Sequence, residues 1–298
     1  HIDSPRLDLR PNPLYEADHF SYFKTHYYGG IRKYQWGTMP LAIHGVFTRA
    51  DGSSVNFAIG EDANDPVFCI TDLLPHLGAE QNDRKLSDGI RAEELNILIG
   101  SDAVDDEEVK EAVKLNTMIL LNEKYGITEK DFARAEIEIV PAYKSRDVGF
   151  DRSLIASYGQ DDRVCSYANL EAILQAKPGV KTQAALLTDK EEIGSYGNTG
   201  MESSYFVKFV MKLLALQGKD TILDFYETME NSEMLSADVN SCMDPMFAEV
   251  SEKDNASFLG YGINLTKYGG ARGKSGSNDA NAEFLQKIRT ISVSYTHL

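Results

Sequence analysis

Four acidic stations and one imidazole carry the chemistry available to this sequence. In Thr188-Asp189-Lys190-Glu191-Glu192-Ile193-Gly194, two adjacent carboxylates follow the apolar run 184–187, which has the length of a buried strand. Neighbouring side chains at a strand end point in different directions. One carboxylate can therefore hold a metal while the other faces a water, as metal-assisted hydrolysis requires. The same pair also fits a solvated loop. His1-Ile2-Asp3 sets an imidazole and a carboxylate at period-two spacing on one side of an extended segment. Such a histidine can ligate zinc while the acid orients it and tunes the site's basicity. Asp161-Asp162 open a helical pattern, where either residue also reads as an N-cap. The short apolar segment 235–240 carries a further acid, Asp238.

The elements expected to position these groups fall into two grammars. Residues 8–36, rich in Pro, Tyr and Gly, read as a connecting arm ending at Gly29-Gly30, with Trp36 packed. Alternating runs 41–48 and 54–60 around Asp51-Gly52 predict a hairpin. The acid-led apolar face of 105–125 predicts a helix stopped by Gly126, and 135–141 alternates as a half-exposed strand. Residues 37–142 thus read as a β-rich insertion with one long helix. After Arg146 come a helix bearing Val164, Tyr167, Leu170, Ile173 and Leu174, the Glu191-Glu192 strand end, a helix over 201–216, and the segment ending near Asp238. Helix, strand, acid, helix, strand, acid is an α/β layout, with carboxylates gathered along one sheet edge.

Composition narrows the partners. The net charge of −16 over 298 residues argues against nucleic acid or an anionic membrane. No apolar run has the length of a membrane span or the form of a signal peptide. Cys69, Cys165 and Cys242 are far apart and form no CxxC, which suits a reducing compartment, the cytoplasm. Gly273-Lys274-Ser275 lacks the preceding glycine of a phosphate-binding loop, since Tyr268 stands there, and reads instead as a turn lining a substrate cleft. The first residue is not Met and 292–298 break the preceding pattern, so both ends read as cut.

The order of these stations resembles the aspartyl aminopeptidase and aminopeptidase I family of dizinc metallopeptidases, in its bacterial-type aminopeptidase 1 branch. HIDSPRL, ITDLLPHL, GQDDRVCSY, TDKEEIGSYGNTG, LSADVN and GKSGSNDANAEF carry the resemblance from His1 to about Thr290. It implies an α/β zinc-aminopeptidase catalytic domain of the phosphorylase/hydrolase-like kind over 1–36 and 143–298, with an inserted β-rich dimerisation domain over 37–142. It further implies two Zn²⁺ ions, replaceable by Co²⁺ or Mn²⁺. His1 and Asp238 match ligands of one zinc, Asp161 the carboxylate bridging both, and Glu192 a ligand of the second. Glu191 matches the general base and Asp3 the acid supporting His1. The Asp161–Asp162 peptide is expected to be cis. His76 matches a histidine that reaches a neighbouring subunit's active site, and Lys267 the basic residue that meets an acidic substrate side chain.

The implied activity is release of one N-terminal residue, acidic or neutral, from a peptide, in a self-associated enzyme, typically a homododecamer. The second zinc of the family also takes a histidine near the C-terminus. Here only His297 is available, and it matches no motif, so the natural protein is expected to be an active enzyme while this piece can be inactive or poor in metal. Two other readings compete: a deacylase or carboxypeptidase of the same clan, and a non-catalytic scaffold subunit.

Overall fold

In the computed structural model, residues 1–268 and 279–295 are described. The main sheet begins with β1 (Arg6–Ala17) and β2 (Phe20–Tyr28), paired antiparallel where a connecting arm was expected. Pro11 and Pro13 obscure this strand in the sequence. They fall where the register shifts between Leu9 and Leu14, an irregularity that tolerates their missing N–H groups. Asp18 and His19, at φ 48° and 65°, make the two-residue turn of a twisted hairpin.

Next come α1 (Lys33–Trp36), β3 (Leu41–Thr48), β4 (Ser54–Ile59), β5 (Cys69–Ile70), α2 (Ala79–Asn82), β6 (Ile97–Gly100), α3 (Ala112–Tyr125) and β7 (Ala135–Pro141). The seven strands form one antiparallel sheet ordered β4-β3-β7-β1-β2-β6-β5. The expected β3–β4 hairpin is present, with Gly52 at φ 82° in its loop. Sheet pairing crosses the seam expected after residue 36, because β1 of the arm pairs with β7 of the insertion. Leu7, Leu41, Ile43, Phe47, Ile97 and Ile139 cluster in the core with Trp36, Ile127 and Phe132.

Helix α3 starts at Ala112, later than its apolar pattern suggests. Its first amides, those of Val113 and Lys114, donate to Glu16 Oε2 at 3.0 and 2.9 Å, so a strand residue caps it. Gly126, left-handed at φ 66°, ends it as expected.

The hairpin β8 (Arg146–Val148) and β9 (Leu154–Ala156) precedes α4 (Gln160–Gln175), α5 (Tyr205–Ala215) and α6 (Ile222–Glu230). The predicted strand at 184–187 has no ladder, and Leu186 and Leu187 are exposed. A strand needs a neighbour, and the parallel pairing here is one isolated bridge, Asp189 with Gly200. Segment 235–238 is likewise irregular and exposed, and Val164, Tyr167, Leu170 and Leu174 of α4 are exposed rather than buried.

The chain divides into two units, His1–Asp238 and Val239–Leu298. The second holds two short 3-10 segments, an isolated Cys242–Ser257 bridge and α7 (Ala282–Tyr295), whose start is capped by Asn281 Oδ1 accepting from the Phe284 amide at 2.8 Å. Gly273-Lys274-Ser275 and His297 lie outside the described residues. Among the described residues no helix is long and apolar enough to cross a membrane.

Candidate metal centre

The segment His1–Pro5 is held against the start of α4. Ser166 Oγ donates to the His1 carbonyl at 2.7 Å, Ser4 Oγ to the Asp161 carbonyl at 2.9 Å, and Tyr158 Oη to the Pro5 carbonyl at 2.8 Å. The His1 backbone nitrogen reaches Asp162 Oδ2 at 3.0 Å. Asp161 and Asp162 depart from helical backbone angles inside α4, and the peptide between them is cis, as expected. On the other side Ile2 N donates to the Thr188 carbonyl at 2.8 Å, which brings the Glu191-Glu192 segment alongside.

Both glutamates lie in a 3-10 turn, Glu191–Ile193, bracketed by left-handed Lys190 (φ 68°) and Gly194 (φ 98°). Thr199 Oγ1 donates to Asp189 Oδ2 at 2.6 Å and Lys190 Nζ lies 3.3 Å from the same oxygen, which ties the loop's two ends together. Burial works to raise the Asp189 carboxyl, but the Thr199 hydroxyl and the Lys190 amide and charge hold it below the ordinary range.

These contacts bring the acidic stations together. His1 Nε2 lies 3.1 Å from Asp161 Oδ1, 3.6 Å from Glu191 Oε2 and 3.9 Å from Asp238 Oδ1. Two sets, His1-Asp161-Asp238 and His1-Glu191-Glu192, each present one ligand atom per residue within 4.8 Å of the others. Neither set holds both Asp161 and Glu192. The donor chemistry fits zinc: one imidazole among carboxylates, whose crowded negative charge a divalent cation neutralises.

Asp3, buried behind His1, organises the rest. Its Oδ1 lies 3.1 Å from His1 Nδ1 and accepts the Glu191 amide at 3.3 Å, while Oδ2 accepts the Glu192 amide at 3.2 Å. The Asp3 carbonyl also faces Nδ1 at 2.9 Å. Two acceptors at Nδ1 hold a hydrogen there, so that Nε2, the nitrogen facing the ligand carboxylates, would offer its lone pair to a bound cation.

Of the other expected residues, His76 sits on an exposed 3-10 turn, Pro75–Leu77, outside both sets. Lys267 lies in the second unit, where its Nζ donates to Asp279 Oδ1 at 3.1 Å and to the Ala280 carbonyl at 2.7 Å.

Residues without a sequence signal also build the centre. Tyr28 Oη donates to Asp3 Oδ2 at 2.7 Å; burial, then the Asp3 bond and charge, push this hydroxyl far above its ordinary range. Gly29 (φ 72°) lies against Glu192, where an added Cβ would come within 3.0 Å of that residue's Cβ and Oε2. Burial, then the neighbouring Asp162 carboxylate, push the Cys165 thiol up to about 12, so it is protonated and no nucleophile at neutral pH. The periodicity of α4 identifies its apolar positions but not the tethering role of Ser166.

Residues 1–293 match the family model described as Aminopeptidase I zinc metalloprotease (M18). The chain is 54% identical over 291 residues to a probable M18 family aminopeptidase 1 of Clostridium acetobutylicum, which covers 98% of this chain and 63% of that protein. It is 50% identical over 292 residues to the Thermotoga maritima protein of the same name, over 98% of this chain and 64% of the relative. It therefore spans a little under two thirds of these relatives' length. A crystal structure of an M18 family aminopeptidase from Thermotoga maritima matches with a TM-score of 0.94 and 48% identity, over 99% of this chain and 65% of that one.

Proposed function

Because the chain belongs to the M18 family of aminopeptidase I zinc metalloproteases, we propose that it carries the metal centre of an enzyme that releases single N-terminal residues from peptides. The observation that supports this most directly is the convergence of Asp161, Glu191 and Asp238 on His1 Nε2, with Asp3 behind Nδ1. His1, Asp161 and Asp238 would hold one zinc, and Glu192 with the shared Asp161 the second; Co²⁺ or Mn²⁺ would substitute. The chemistry that zinc supplies when bound is polarisation of the scissile carbonyl and acidification of water.

The chain's own groups do the remaining work. Glu191, on a turn whose amide is fixed by Asp3, takes the proton of the attacking water and returns it to the leaving amine. Asp3 keeps the His1 ring turned so that Nε2 faces the ligand carboxylates.

We assign oligomerisation to the insertion 37–142, with the arm strands β1 and β2 joined to its sheet. Around His76 the side chains of Leu73, Leu74 and Leu77 are exposed, which supports a contact between subunits there, in a homododecamer as the specific form. We assign Lys267 to contact with an acidic substrate residue, and the protein to the cytoplasm.

Glu191→Gln is the decisive variant. It should cut peptide hydrolysis by roughly 100- to 10,000-fold while zinc stays bound. Protein extended to its relatives' length by their C-terminal segment should release the first residue from free peptides and leave N-acetylated ones intact. Equal cleavage of blocked and free peptides would favour another hydrolase of the clan, and an unaffected Glu191→Gln would favour a scaffold.

A further inference from the structure

The main sheet reaches the metal centre through the end of β2. Tyr28 is buried there, and its hydroxyl donates to Asp3 Oδ2 at 2.7 Å. Asp3 carries several loads at once: Oδ1 faces the His1 ring and the Glu191 amide, and Oδ2 takes the Glu192 amide. A carboxylate rotates about its terminal torsion, which is broad. Partial rotation would carry both oxygens off their partners and detune the imidazole and the turn together. The short bond from Tyr28 gives Oδ2 a second donor and opposes that rotation.

Tyr28 is braced in turn. The Arg6 guanidinium carbon lies 3.8 Å from its ring centroid, and Arg6 is held by Asp8 at 2.8 Å and by Glu138 of β7 at 3.0 Å. Lys190 Nζ, from the residue preceding Glu191, lies 5.6 Å from the same centroid. An unbroken run of contacts therefore leads from the sheet through Arg6, Tyr28 and Asp3 to His1 and the glutamate turn.

We propose that Tyr28 is a positioning residue of this centre: by fixing Asp3 Oδ2 it sets the His1 orientation that offers Nε2 to zinc and holds Glu191 and Glu192 in register with it. The role rests on the zinc-aminopeptidase reading and adds a residue to it. Tyr28 touches no metal and no substrate; it acts through Asp3.

The test is Tyr28→Phe, which keeps the ring and removes only the hydroxyl. In the zinc-loaded protein, zinc affinity by chelator competition and kcat should each fall about 10-fold or more, the usual cost of losing a partner behind a metal ligand. KM should stay within about twofold, because no substrate contact is lost. The double variant Tyr28→Phe/Asp3→Asn should lose no more than Asp3→Asn alone, since a residue acting only through Asp3 has nothing left to contribute. Zinc affinity and kcat both within about twofold of wild type, or losses that multiply in the double variant, would overturn the proposal. A protein extended to its relatives' length by their C-terminal segment that binds zinc but releases no N-terminal residue would sink the aminopeptidase reading instead. Zinc competition through the same double-mutant cycle would then still decide the role of Tyr28.

Discussion

At the scale of single residues, the centre has least slack at Gly29. Its φ of 72° is left-handed, and a Cβ there would press on Glu192 at 3.0 Å. Gly52 is also left-handed, at φ 82°, but nothing lies within 4 Å of where its Cβ would be. The pair separates backbone cost from crowding. Gly29→Ala and Gly52→Ala should each lose about 1–2 kcal/mol in denaturant unfolding, the cost of an alanine in that conformation. Only Gly29→Ala should also weaken zinc binding, measured by chelator competition; equal zinc affinity in the two variants would show that Glu192 gives way freely. The candidate carboxylates stand out in the sequence because each acid sits beside an apolar run or a helix start, but their roles as ligands rest on the order that resembles the family. Gly29 and Tyr28 do not stand out. Their roles arise from contact with Glu192 and Asp3, and the approach of segments remote in sequence leaves no local pattern.

At the scale of elements, local rules read well wherever a segment carries its own partner. The β3–β4 hairpin and the Gly126 helix stop are of this kind. The rules failed where the partner is remote: β1 hid behind prolines placed at a register shift, and α3 begins where Glu16 of β1 caps it. The 3-10 segment Glu129–Arg134, which carries Phe132 into the core, shows the local case with a charge in it. Asp131 accepts the Thr128 amide at 2.8 Å and its hydroxyl at 2.9 Å, and is also paired with Arg134. The Thr128 amide leads in holding this carboxyl below the usual range against the opposing effect of burial. A carboxyl lowered in the folded state stabilises above its unfolded value, and loses that contribution as pH falls through the folded one. Asp131→Ala should therefore cost about 1–2 kcal/mol near neutrality. The gap to wild type should close in acid, below the ordinary aspartate range. Urea unfolding at both pH values measures it, and a gap that stays constant into acid would show that Asp131 acts by packing and not by charge.

At the scale of the whole molecule, the α/β layout inferred from the order of acids is only partly what the described residues form. Helices and acids come in the expected order, but the extensive sheet is antiparallel and belongs to the strand-rich half, while 184–187 finds no ladder. The site does not depend on that ladder, because hydrogen bonds from residues 1–4 pin the start of α4 and the glutamate turn to one another. Residues 1–3, 161–162, 189–192 and 238 are far apart in sequence, and unfolding scatters them. A metal held by them binds the folded chain and not the unfolded one, so it adds stability by mass action, about 2.7 kcal/mol at 100 times its dissociation constant. It also relieves the repulsion among carboxylates crowded around one imidazole. Chelation should therefore lower the melting temperature by several degrees, at about 2 °C or more per kcal/mol, and added zinc should restore it. His1→Ala removes the one imidazole common to both ligand sets and should cut the chelator-induced shift sharply. A chelator shift of the same size in His1→Ala as in wild type would show that the stabilising metal does not rest on His1.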